Sequence, residues 1–106
     1  MSFRFMRILL FFDLPIETAA DRRNYRSFRK LLIKNGFIML QKSVYCKLMT
    51  TPSVEFSVKK LIRENRPPDG IVQILTVTEK QFSKMEFIVG KSTSDVIDSE
   101  DRLIIL

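Results

Sequence analysis

The sequence predicts an α+β fold: a four-stranded antiparallel sheet with two helices on one face, its elements running β, α, β, β, α, β. Three observations predict it. Apolar residues switch from strand-like runs to helical stripes and back again, twice along the chain. The three glycines and four prolines fall between those segments, where they mark element ends. Each helical segment carries a single apolar stripe, so both suit one layer packed on one side of a sheet.

The first strand spans Phe5 to Phe12. Its run Ile8-Leu9-Leu10-Phe11-Phe12 suits a central strand buried on both faces, and Asp13-Leu14-Pro15 ends it. Thr18 with Asp21 three residues later signals a helix start, and Asn35-Gly36 signals its stop, which predicts a helix over Ala19 to Lys34. Tyr25, Phe28, Leu31 and Leu32 form its apolar stripe. Arg22, Arg23, Arg26, Arg29, Lys30 and Lys34 fill the rest of its circumference, and against Asp21 alone they give it a charge of +5.

Phe37 to Met49 reads as a hairpin turning near Gln41-Lys42-Ser43. Thr51-Pro52 starts a second helix, whose stripe of Val54, Val58, Leu61 and Ile62 runs to Asn65. Pro67-Pro68-Asp69-Gly70 introduces a fourth strand, Ile71 to Thr78, apolar on both faces. This order is that of a ferredoxin-like split βαβ domain, βαββαβ, in which the fourth strand lies on an edge. An apolar edge needs a cover. The expected covers are a short helix over Glu79 to Met85, a fifth strand at Glu86-Phe87-Ile88-Val89 and a last strand at Arg102-Leu103-Ile104-Ile105-Leu106, separated by an acidic stretch with Asp95, Asp98, Glu100 and Asp101. We therefore divide the chain into a core over 1–78 and an extension over 79–106 whose strands pair across a homodimer.

The length of 106 residues fits one domain, and 18 Lys and Arg against 12 Asp and Glu leave +6. No His and no Trp are present, and Cys46 is the one cysteine. Histidine general bases and His/Cys zinc sites are thus excluded within one chain, and Cys46 reads as a buried spectator thiol. The N-terminal apolar run is cut at Asp13 without a cleavage signal and is too short to span a bilayer, so the expected location is the cytoplasm, with no membrane partner.

Two features bear on chemistry. Asp13, at the C-terminal end of an apolar strand, reads either as a turn cap or as a ligand for a hard divalent cation such as Mg²⁺, and a dyad would double it. Glu17 reads as a solvated loop acid and Asp21 as a helix-start residue. The basic helix is the second feature: Arg22, Arg23, Arg26, Lys30 and Lys34 recur along it and could follow a phosphate backbone without reading sequence. Phe28, Phe37, Phe56 and Phe82 are assigned to the core, which favours duplex backbone binding over single-strand capture. Lys59, Lys60, Arg63 and Arg66 form a second basic cluster, read as a solvated face.

Together, Phe11-Phe12-Asp13-Leu14-Pro15, the Arg-rich helix, Gly36-Phe37-Ile38-Met39, Gln41-Lys42-Ser43-Val44-Tyr45 and Leu75-Thr76-Val77-Thr78-Glu79-Lys80-Gln81 resemble the CRISPR-associated protein 2 family, in its type II-A form. The resemblance implies a ferredoxin-like homodimer that bridges two dimers of the integrase, CRISPR-associated protein 1, and holds a short DNA duplex between them during spacer acquisition. It also implies, for some members, metal-dependent nuclease activity at the aspartate matching Asp13. Phe12 stands where one common family pattern has a tyrosine, so that phenol hydroxyl is missing here. The function expected is a non-catalytic duplex-DNA scaffold. The alternative is an autonomous Mg²⁺-dependent endonuclease built on paired Asp13 carboxylates.

Overall fold

The computed structural model of the chain describes residues 5–91. Strand β1 (Met6–Asp13) is followed by α1 (Ala19–Lys34), the hairpin β2 (Ile38–Gln41) and β3 (Val44–Met49), α2 (Pro52–Glu64), β4 (Ile71–Thr78) and the short α3 (Glu79–Ser83). The four strands form one sheet in the order β2-β3-β1-β4, with β1 antiparallel to both β3 and β4. This is the expected ferredoxin-like arrangement, with β1 central and β4 on an edge.

Local chemistry explains where the elements begin and end. At the start of α1 the Thr18 hydroxyl accepts from the Asp21 N–H at 3.0 Å while the Asp21 carboxylate accepts from the Thr18 N–H at 3.1 Å, so two otherwise unpaired helix-start donors are satisfied. Gly36 ends the helix at φ +88, a left-handed conformation that lets the Phe37 N–H donate back to the Leu32 carbonyl at 3.0 Å. Ser43 takes φ +73 in the hairpin turn, and its carbonyl accepts from the Phe12 N–H at 3.0 Å. At α2 the proline fills the first helical turn, but the Thr51 hydroxyl hydrogen-bonds to Ser53 Oγ at 3.1 Å and makes no cap.

The core lies between the sheet and the two helices. Ile8, Leu10 and Phe12 from β1, with Tyr45 and Met49 from β3, meet Phe28 and Leu32 of α1 and Val58 and Ile62 of α2. Phe12 is its centre: it meets Tyr25 and Phe28 edge-on at 5.6 and 5.5 Å and stacks on Tyr45 at 5.7 Å.

One expectation is corrected: Phe56, assigned to the core, projects from α2 into solvent at 71% exposure. Within the single chain Glu86-Phe87-Ile88-Val89 forms no strand and its three apolar side chains are exposed. The pairing expected of this segment is with a second copy, and a strand forms only where it has a ladder partner. The strand expected at 102–106 and the acidic stretch before it lie outside the described residues. No helix among those residues is long and apolar enough to cross a membrane.

Candidate nucleic-acid interface

The basic residues of α1 divide by what they touch. Arg22 reaches back from the first turn and donates to the carbonyls of Ile16 and Glu17 at 3.1 and 3.0 Å, bracing the turn after β1. Arg29 donates to the Tyr45 hydroxyl at 3.1 Å, which satisfies a phenol otherwise buried in the core. Arg23, Arg26, Lys30 and Lys34 are exposed and join none of the ion pairs among the described residues. From Arg23 to Lys34 the helix rises about 16 Å. Four cations along that length form a track for a polyanion, because the offset of phosphate charge is the main source of sequence-independent affinity.

The neighbouring helix extends this basic layer. Lys59 pairs with Glu55 at 2.7 Å, and Lys60 pairs loosely with Glu64 at 3.8 Å. Glu55 also accepts from the Thr76 hydroxyl at 2.9 Å, tying α2 to β4, and these contacts, with Lys59 first, hold its carboxyl below the usual range. With three cations and two acids α2 adds +1 to the +5 of α1, so the helical layer accounts for a charge equal to the whole chain's +6.

The opposite face of the sheet is of another kind. Alternation along β1 sends Arg7, Leu9, Phe11 and Asp13 away from the helices. In register with them are Leu48, Cys46 and Val44 on β3, and Val77, Leu75, Gln73 and Ile71 on β4. Leu75 and Ile71 are 53% and 57% exposed, and Leu48 and Ile38 are exposed beside them, so among the described residues this face is apolar and open along β4 and β2, with Leu9 and Cys46 buried in its middle.

One end of it is closed by a contact that the sequence did not reveal. Arg7 pairs in bidentate fashion with Glu79 at the start of α3, with Nε to Oε1 at 2.8 Å and Nη2 to Oε2 at 2.9 Å. Its guanidinium lies 4.4 Å from the Phe82 ring centre, and its Nη1 donates to Cys46 Sγ at 3.6 Å. Arg7 thus holds α3 against the sheet and holds the Glu79 carboxyl below its usual range. Cys46 is buried as expected, and burial, partly offset by Arg7, pushes its thiol up, away from the thiolate a nucleophile needs.

Asp13 is exposed at the other end, the last residue of β1, opposite Ile71. Its carbonyl abuts Gly70: a β carbon there would lie 2.5 Å from that oxygen, and φ +94 independently requires glycine. The turn carrying Asp13 is therefore fixed from both sides, by Gly70 and by the Arg22 brace. Among the described residues no group of three or more His, Cys, Asp or Glu could hold a metal ion. Among those residues Asp13 is a single exposed carboxylate at this end of the sheet. Asp21 is engaged in the helix cap and Glu17 is exposed in the loop, as expected.

Comparison with known proteins places these features in a family. A family model described as "CRISPR associated protein Cas2" matches residues 6–85. A protein of Treponema denticola named "CRISPR-associated endoribonuclease Cas2" is 52% identical over 95% of this chain and 100% of its own length. One of the same name from Lacticaseibacillus rhamnosus is 45% identical over the same shares. The crystal structure of Streptococcus pyogenes Cas2 at pH 6.5 superimposes with a TM-score of 0.60 at 21% identity, covering 78% of this chain and 99% of that one. At that identity the likeness concerns the fold.

Proposed function

The chain belongs to the CRISPR-associated protein Cas2 family, and from that premise we propose that it works as a homodimer that binds duplex DNA through the α1 track and bridges integrase subunits during spacer acquisition. The observation that carries this reading is the division of the molecule into a basic helical layer and an apolar sheet face. Two copies packed sheet to sheet bury Leu75, Ile71, Leu48 and Ile38 and leave both α1 helices outside, free to meet phosphates. The contribution of such a scaffold is length and orientation, while strand transfer belongs to the integrase partner, CRISPR-associated protein 1.

A second reading, endonuclease, is favoured by the names of the relatives and by the place of Asp13 at the rim of the same face, where two-fold packing would bring a second copy of it nearby. A pair of carboxylates with water and phosphate oxygens is the donor set that suits Mg²⁺. Asp13→Asn separates the two. A scaffold keeps integration by the reconstituted complex within a few-fold of wild type, whereas an Asp13-dependent nuclease loses cleavage of RNA or DNA. Integration lost by orders of magnitude, with dimer and DNA binding intact, would contradict the scaffold reading.

A further inference from the structure

Phe56 is the most exposed aromatic ring among the described residues, at 71%, and nothing in the packing of those residues accounts for it. It lies on the face of α2 opposite Val58 and Ile62, which enter the core. Lys60 stands one turn further along that outer face and Arg63 two turns, with Lys59 at its flank. Single exposed apolar residues are ordinary on protein surfaces. This one differs in its surroundings. Lys59 is held by Glu55, Lys60 is held only loosely by Glu64 at 3.8 Å, and Arg63 joins no ion pair among the described residues.

A flat ring with cations one and two turns away along a rigid helix offers a nucleotide both things it needs, a surface for the base and a positive charge for the phosphate. The patch also continues the basic layer. A cleft of about 190 Å³ joins the helices, lined by Asn24 and Ser27 of α1 and by Asn65 and Arg66 just past α2.

We propose that Phe56, Lys60 and Arg63 form a binding site for unpaired nucleotides, in which a base stacks on Phe56 and its phosphates meet the two cations. The site deepens the nucleic-acid reading above and rests on it. It differs from the α1 track in the form of nucleic acid it selects: duplex phosphates suffice for α1, but stacking requires a base out of its helix. An acidic protein segment is the rival occupant, and the test resolves it.

The test uses the full-length protein with two probes, oligothymidylate and a blunt DNA duplex, titrated at several salt concentrations. Phe56→Ala is expected to weaken oligothymidylate roughly tenfold, with the slope of log K against log salt unchanged because no phosphate contact is lost. Phe56→Tyr should retain the affinity, and Lys60→Gln with Arg63→Gln should flatten the slope. Blunt duplex binding by Phe56→Ala should equal that of wild type. Because the ring is exposed, the thermal midpoint of Phe56→Ala should not move, which excludes unfolding as the cause. Equal oligothymidylate affinity for wild type and Phe56→Ala would overturn the site, as would loss of integrase co-elution on Phe56→Ala with nucleotide binding intact. Failure of wild type to bind the blunt duplex would instead count against the α1 reading.

Discussion

Arg7 is the residue on which the end of the described chain depends. It sits on the central strand, yet its partners are 72 and 39 residues away in sequence, Glu79 and Cys46, with Phe82 completing the contact. A lone arginine in an apolar strand carries no sign of such a pairing, which only the antiparallel register of β1 and β4 creates. Glu79 loses a proton more readily when folded, because Arg7 stabilises its charged form. The folded carboxyl therefore lies below the unfolded value of about 4.3, and its contribution to stability is present above that pH and disappears as pH falls through the folded value. The side chain is 44% exposed, so solvent screening keeps the coupling modest, about 0.5–1 kcal/mol. Thermal unfolding of wild type and Glu79→Gln should thus differ near neutral pH and converge as pH falls from about 4.3 through the folded value. A difference that persisted unchanged at pH 3 would show that the ionised pair is not its source. Phe56 is a different case, because its exposure was legible. It stands two positions from both Val54 and Val58, and at 100° per residue that places it on the far side of the helix from them.

The elements themselves were mostly legible because local chemistry sets their limits. Thr18 and Asp21 start α1, Gly36 ends it, and the Pro-rich turn before Gly70 delivers β4 over the residues expected. Glu86 to Val89 forms no strand within the single chain because an apolar run shows only that a segment is suited to burial, while strand formation depends on a neighbour elsewhere in space. The sheet face poses the same question for a whole element. β4 pairs with β1 along one edge and presents Ile71, Gln73 and Leu75 to solvent. If a second copy covers that face, Leu75→Glu puts a charge into the centre of the interface, where it has no counterion, and should shift the protein from dimer to monomer. Sedimentation velocity reads this directly, and a variant that sediments as wild type would show that the face is not the subunit contact. In the monomer Leu75 is already half exposed, so the fold of each subunit should survive.

At the scale of the molecule, charge and apolar surface lie on opposite sides of one sheet, and the proposed function follows from that separation. The +6 was visible in the composition and its concentration on α1 in the sequence, but how the cations divide was not. Arg22 and Arg29 look like their neighbours in a helical repeat, and only the positions of the Ile16 and Glu17 carbonyls and of the Tyr45 hydroxyl show that they brace the fold. Arg23, Arg26, Lys30 and Lys34 are left exposed and join none of the ion pairs among the described residues, and under the proposed function they are the phosphate contacts. If these four cations provide the binding, the slope of log K against log salt for a blunt duplex reports it, compared between wild type and Arg23→Glu/Arg26→Glu. The variant should show a slope shallower by about 2, equally for unrelated sequences and with its thermal midpoint unchanged. An identical slope in a folded variant would contradict it.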